Sequence, residues 1–175
     1  MKRLLSALMG FALLLLSSTE GWSTEYTNDI SSDVFITIDL PDKLRMLTTI
    51  DHIVLTASDM NKTISFYCDI LGMKLENFTP SGGSKTRRSL KFGNQKINLH
   101  CVGSPYKPHA KNPVSGAVDI CFLSSTPIDE WQEIFSENNI EIEDGPVQKT
   151  GATGPIMSLY VRDPDLNLIE ISNKI

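Results

Sequence analysis

Two stretches of this chain carry the same apolar pattern without a gap, and that repetition narrows the folds open to it. HIVLTASDMNKTISFYCDILGMKLEN, from His52, aligns on DICFLSSTPIDEWQEIFSENNIEIED, from Asp119, at a constant offset of 67 residues. Ile53 falls on Ile120, Leu55 on Phe122, Ile64 on Trp131, Tyr67 on Ile134, Met73 on Ile140 and Leu75 on Ile142. Further on, Ile97-Asn98-Leu99 aligns on Ile169-Glu170-Ile171 at an offset of 72, so a few residues are inserted between the two blocks. The pattern predicts two copies of one supersecondary unit, each with an apolar face that it cannot bury alone.

Each copy reads strand, helix, strand, strand, strand. The first opens with a strand near Ile50 to Thr56, followed by Asp59 as N-cap and a helical stripe of Ile64, Tyr67, Cys68 and Leu71 ending at Gly72. In the second, Thr126-Pro127-Ile128-Asp129 combines a capping hydroxyl with Pro at the first helical position. Its stripe is Ile128, Trp131, Ile134 and Phe135, and Asn139 stands where the first copy has Gly72. Strands are predicted at Met73–Phe78, Ser89–Phe92 and Lys96–Val102, and again at Ile140–Ile142, Ile156–Val161 and Leu168–Ser172, separated by Gly-rich or Asp-Pro turns. The modules thus span 49–102 and 116–175, with 103–115, rich in Pro, Lys and His, as linker. The expected class is α+β: two βαβββ modules forming a curved mixed sheet or open barrel.

The N-terminus is different in kind. Lys2-Arg3, a 13-residue apolar run from Leu4 to Leu16, and small residues at Gly21 and Ser23 have the layout of a signal peptide over residues 1–23. The run is shorter than the roughly 20 residues that cross a bilayer, so no membrane span is expected in the mature chain. A secreted or secretory-pathway protein is the expectation, a cytoplasmic one the alternative. Residues 24–48, with one short strand at Val34–Ile38, read as an extension ahead of a domain at 49–175.

A net charge of −5 leaves no basic footprint for nucleic acid. Lys85 and Arg87-Arg88, the only basic cluster, read as a solvated loop. Cys68, Cys101 and Cys121 cannot all pair within one chain and read as small buried hydrophobes.

Strand parity places the polar donors. Lys96, Asn98 and His100 share one face and Leu168, Glu170 and Ser172 another, while His52 groups with Val54 and Thr56, and Asp119 with Ala117 and Cys121. Each donor thus sits opposite the largest aliphatics. A face carrying His, Asp, Glu and either Asn or His reads as the lining of a site, because buried ionisable groups need a partner or a metal. Imidazole and carboxylate donors suit Mn, Fe, Ni, Co or Zn. The set read from the residues is His52, His100 and Glu170, with Asp119 as fourth ligand or as a partner to one of them.

These residues carry a family resemblance. HIVLTASDMNKTISFYCDILGM resembles the opening of the vicinal oxygen chelate superfamily, which contains glyoxalases, bleomycin-resistance proteins and dioxygenases. RDPDLNLIEIS resembles its closing segment, usually written around DPDGN and an acid, and the likeness runs from about Ile50 to the end. KFGNQKINLH and GPVQKTGATGPIMSLYVRDPDLNLIEISN look closest to the glyoxalase domain-containing protein 5 subgroup. The resemblance implies a metal held by the first and last strand of each half, which puts His52, Asp119 and Glu170 on ligand positions and Asn98 on the remaining one. Asp119 stands where members often carry His, and Asn98 where glyoxalase I has Glu, with His100 as a substitute on the same face. The implied activity is a metal-dependent enzyme acting on a small molecule through vicinal oxygens, of lyase, isomerase or dioxygenase type, with Glu170 doubling as base. The alternative is a non-catalytic small-molecule-binding protein of the bleomycin-resistance type. Either reading allows a homodimer.

Overall fold

The computed structural model describes residues 47–175. The expected signal peptide over 1–23, the expected strand at 34–38 and most of the expected extension lie outside the described residues. In chain order the elements are β1 (His52–Ala57), α1 (Met60–Ser65), a π-helical turn (Phe66–Ile70), β2 (Lys74–Phe78), β3 (Arg87–Phe92), β4 (Gln95–Cys101), β5 (Asp119–Leu123), α2 (Ile128–Glu137), β6 (Ile142–Gly151), β7 (Gly154–Arg162) and β8 (Leu168–Lys174).

The repeat is exact at the level of register. The first sheet has the order β1-β4-β3-β2 and the second β5-β8-β7-β6, each with its first and last strands parallel and the other pairs antiparallel. Ile53 pairs with Ile97, and Ile120 with Ile169, so residues related by the two offsets meet in the same way. Each module is a βαβββ unit. The two mixed sheets stay separate and do not close into a barrel.

Parity decides what each sheet buries. Leu55, Leu90, Ile97 and Leu99 from the first sheet join Phe122, Leu159, Val161, Ile169 and Ile171 from the second in one cluster with Phe66, Tyr67, Trp131 and Phe135. Phe92 and Phe122 meet edge to face at 5.2 Å between ring centres, so the modules share a core. Truncating one buried Leu or Ile of such a core costs about 2–5 kcal/mol. The opposite faces of both sheets carry the polar residues and are termed the open faces below.

The first helix starts as its sequence dictates: the Asp59 carboxylate accepts from the backbone N–H groups of Asn61 (3.0 Å) and Lys62 (3.1 Å). Gly72 and Asn139, the two helix-end residues related by the repeat, both take the left-handed conformation, at φ 72° and 55°. Three expectations change. The Thr126 hydroxyl does not cap α2; Pro127 is the cap residue, and Ser124 Oγ accepts from Thr126 N and Trp131 Nε1 instead. The strand expected at Ile140–Ile142 becomes the ten-residue β6, because Gly145 and Pro146 are absorbed as register shifts rather than ending the strand. Arg87 and Arg88 belong to β3 and not to a solvated loop.

The turn before β8 ties the modules together. Asp163, 2% exposed, accepts from the Tyr67 hydroxyl at 3.0 Å, from Asn167 Nδ2 at 2.8 Å, and from the backbone N–H groups of Asp165 and Asn167 at 2.9 Å each. Asp165 accepts from Ser58 N at the end of β1, and Asn167 Oδ1 accepts from Val118 N ahead of β5. Leu166, exposed at the tip, has φ 66°, a conformation that costs a residue with a side chain about 1–2 kcal/mol.

Opposite effects follow for neighbouring substitutions. Asp163→Ala leaves the buried Tyr67 hydroxyl and Asn167 amide without their acceptor and is expected to cost about 2–4 kcal/mol in urea unfolding. Leu166→Gly is expected to stabilise by up to about 1 kcal/mol. Near-zero change for the first or destabilisation by the second would contradict this account of the turn.

Candidate ligand site on the open faces

The shared register places the repeat-related donors in equivalent settings. Asn98 lies opposite Val54, two residues beyond His52, and Glu170 lies opposite Cys121, two residues beyond Asp119. His52 and Asn98 form one half-site, Asp119 and Glu170 the other. His100 belongs to neither, because it lies opposite Thr56. That is four residues along from His52, or about 13 Å at the rise of a strand, and side chains standing off the sheet do not converge over it. His52 and His100 are therefore not paired ligands within a module.

Glu170 is the most elaborately held of these groups. Its Oε1 accepts from Ser158 Oγ at 2.6 Å and from Ser172 Oγ at 3.3 Å, and the two serines are 2.8 Å apart. Tyr160 lies directly opposite it on β7. Burial first, then the hydrogen bond and negative charge of Glu170, push the Tyr160 hydroxyl up to about 12, with Cys121 and Asp119 adding to the shift. Tyr160 thus stays a donor at neutral pH. Cys121 is exposed rather than buried, as is Cys101, and its sulfur lies 3.3 Å from Ser172 Oγ. Burial of the sulfur dominates in raising the Cys121 thiol, and the Glu170 and Asp119 charges add to it, so it is not a thiolate at neutral pH.

His52 is exposed at the start of β1, with Nδ1 2.6 Å from Asp51 Oδ1. The hydrogen bond to His52 is the main cause that holds the Asp51 carboxyl below its usual range. An imidazole oriented in this way presents its other nitrogen outward, as metal-binding histidines do. Yet among the described residues no three His, Cys, Asp or Glu side chains gather into a group able to hold a metal ion. The donor types suit a divalent cation, but within one chain His52, His100, Asp119 and Glu170 do not share a coordination sphere.

Around His100 the structure shows groups that sequence reasoning missed. The segment between β4 and β5 lays Tyr106 edge to face on His100 at 5.3 Å, and the Arg87 guanidinium stacks 4.4 Å over the other ring, that of Tyr106. A pocket of about 150 Å³ beside them is lined by Val54, Thr56, His100, His109, Asn112 and Val118 among others. A larger groove of about 770 Å³ lies on the helix side, between Lys62 and Phe66 of the first module and Glu141, Glu143 and Arg162 of the second. It holds none of the repeat-related donors. The parity of Arg87 and Ser158 along their strands was the available signal, and it needed the strand boundaries and register to be read.

His100 gives a pH test. Burial first, then the nearby Arg87 and His109, lower its pKa from the ordinary 6.5. Below that value the unfolded chain binds a proton that the folded chain does not, so stability falls as the pH drops through the window under 6.5. His100→Gln is expected to flatten the pH dependence of the urea midpoint between about pH 7.5 and 5 relative to the parent chain. Identical slopes for the two proteins would show that His100 titrates normally.

Comparison with known proteins completes the site. The family model of the Glyoxalase/Bleomycin resistance protein/Dioxygenase superfamily matches residues 49–171. The virulence protein STM3117 of Salmonella typhimurium is 47% identical over 127 residues, 73% of this chain and 85% of that protein. Its crystal structure superposes with a TM-score of 0.67 over 74% of this chain and 99% of that one. Glyoxalase domain-containing protein RDO1 of Mycosarcoma maydis is 46% identical over 71% of this chain and 68% of its own. The integron cassette protein VCH_CASS1 of V. cholerae, 42% identical, matches with a TM-score of 0.69 over 74% of this chain and 98% of that one. The paired βαβββ modules, their open faces and these matches agree: the chain belongs to the Glyoxalase/Bleomycin resistance protein/Dioxygenase superfamily.

Proposed function

We propose that the protein is a glyoxalase-like enzyme that binds a small molecule along its open faces and moves a proton with Glu170. The observation that carries this reading is the support of that carboxylate: two serine hydroxyls hold Oε1, while the half-buried residue faces the open side of the sheet. Neither serine bonds Oε2, which is left to reach a substrate. A fixed carboxylate beside a protonated tyrosine is a base with a donor at hand. On a 2-hydroxy carbonyl compound, the C–H bond of the hydroxyl-bearing carbon breaks, its proton passes to Glu170, and its electron pair forms an enediolate as the carbonyl oxygen is protonated. Return of the proton from Glu170 to the former carbonyl carbon, with loss of the proton from the original hydroxyl to re-form a carbonyl there, completes an isomerisation without an external oxidant. Membership of the Glyoxalase/Bleomycin resistance protein/Dioxygenase superfamily supports a glyoxalase-like reading.

A divalent ion of the Mn, Fe, Ni, Co or Zn type held by His52, Asp119 and Glu170 would supply Lewis-acid stabilisation of that enolate. Because the two half-sites do not meet within one chain, we assign their closure to a homodimer in which a second copy brings the complementary half. The second reading, a non-catalytic binding protein, is favoured by the lack of a converging ligand set among the described residues.

Hydrogen–deuterium exchange into 2-oxo and 2-hydroxy compounds, followed by proton NMR, separates the two readings without knowledge of the product. The parent chain is expected to catalyse exchange in at least one compound, and Glu170→Gln to slow it by about 100-fold or more with the fold intact. Binding of those compounds without any exchange would establish the non-catalytic reading. Metal analysis across a gel-filtration profile is expected to find metal with the dimer and to lose it in the His52→Ala/Glu170→Gln double variant.

A further inference from the structure

Three buried side-chain polar atoms among the described residues find no hydrogen-bond partner in the protein: Ser89 Oγ, Asn98 Oδ1 and His100 Nδ1. They are not scattered. Ser89 on β3 lies directly opposite Asn98 on β4, and His100 follows two residues along β4 on the same face. Of the repeat-related positions in the second module, Tyr160, Glu170 and Ser172, the last two are partnered: Glu170 accepts from Ser172 and from Ser158. Buried polar groups are nearly always paired, and each orphan costs about 1–3 kcal/mol, so three in a row on one open face mark a surface shaped for something other than protein.

The surroundings define what that is. His100 is 5% exposed and lines the pocket of about 150 Å³, with Thr56 and His109 beside it. The charged groups that act on His100 are Arg87 and His109, both cationic or able to become so, in a chain of net charge −5. Asn98 Oδ1 can only accept, so it calls for a donor; Ser89 Oγ and neutral imidazole can do either. That pocket meets the row at His100 alone, and a cavity of its size takes roughly six or seven non-hydrogen atoms, on the order of benzene. We propose that the Ser89–Asn98–His100 row, capped by Tyr106 and Arg87, binds a short hydroxycarboxylate, its hydroxyl donating to Asn98 and its carboxylate turned toward Arg87 and His109.

This assignment rests on the reading that the open faces take the ligand, and it adds the class of ligand and the module that recognises it. The shells of these atoms are closed in the present arrangement, so binding entails movement of the Tyr106 segment off the row. That segment is held to β3 by the Tyr106 hydroxyl donating to Thr86 O at 3.3 Å and by the Arg87 stack.

The test uses the full chain and three probes in calorimetric and NMR titrations: glycerate, glycerol, which has hydroxyls and no charge, and propionate, which has the charge and no hydroxyl. Glycerate is expected to bind, and each control to bind about tenfold more weakly or worse, the loss expected for one charge-assisted hydrogen bond. Amide shifts should centre on Ser89, Asn98, His100 and Tyr106. Arg87→Gln, on a half-buried strand residue, and His100→Gln should each weaken glycerate by about tenfold. Should the His100 variant fail to fold, the Arg87 variant and the shift map still decide. Absence of glycerate binding up to about 10 mM, equal binding of glycerol, or shifts centred on Glu170 would overturn the proposal. Failure here with Glu170-dependent exchange intact leaves the enzyme reading standing; glycerate binding at this row with exchange indifferent to Glu170→Gln removes that reading and keeps this one.

Discussion

The carboxylate of Asp163 is the point on which the arrangement turns. It is buried, and four donors from three residues converge on it: the Tyr67 hydroxyl from the first module, and the Asn167 backbone and side chain with the Asp165 backbone from its own turn. Burial, together with the nearby Asp163 and Asp165 charges and the Asp163 hydrogen bond, raises the Tyr67 hydroxyl far above its ordinary range, so it remains a donor at any physiological pH. With this turn closed, Asp165 can reach Ser58 at the end of β1 and Asn167 can hold Val118 ahead of β5. Both edge strands that begin the modules are thereby positioned by the turn that begins the last strand. The shared core then fills behind them, and the polar faces are left open by exclusion.

Those open faces have diverged, although the fold has not. In the second module the hydroxyls of Ser158 on β7 and Ser172 on β8, 2.8 Å apart, both lie within hydrogen-bond distance of Glu170, giving an acidic surface. In the first, the matching row is unsatisfied, flanked by Arg87, and covered by an aromatic residue from the segment that links the modules. A twofold scaffold with one acidic, preorganised half and one half that offers unused hydrogen bonds to an anion is a division of labour. On the functions proposed above, one face would transfer a proton and the other would recognise the ligand.

Much of this was legible in the sequence, and the failures have a common cause. Period-2 alternation correctly assigned His52, Asn98, Asp119 and Glu170 to the faces away from the core, because parity is a local property. Parity does not say which residue lies across the ladder; only register shows that Thr56, and not His52, is the neighbour of His100. The strand expected at Ile140–Ile142 was too short: Gly145 and Pro146 break regular pairing, yet β6 bulges through them. Arg87 was lost to a loop because the short Lys85–Arg88 basic cluster reads as solvent-facing, yet it opens β3. Asn167 was given no role from the sequence, yet it is 1% exposed and bonded on three sides.

The central claim is that the open faces, and not the larger helix-side groove, are where this protein meets its ligand. The most direct measurement is an amide chemical-shift map of the full chain titrated with small 2-oxo and 2-hydroxy acids. The account predicts perturbations along β1, β4, β5 and β8, at residues such as Thr56, Asn98, Cys121 and Glu170. Perturbations confined to Lys62, Phe66, Glu141 and Arg162, around the groove of about 770 Å³, would contradict it.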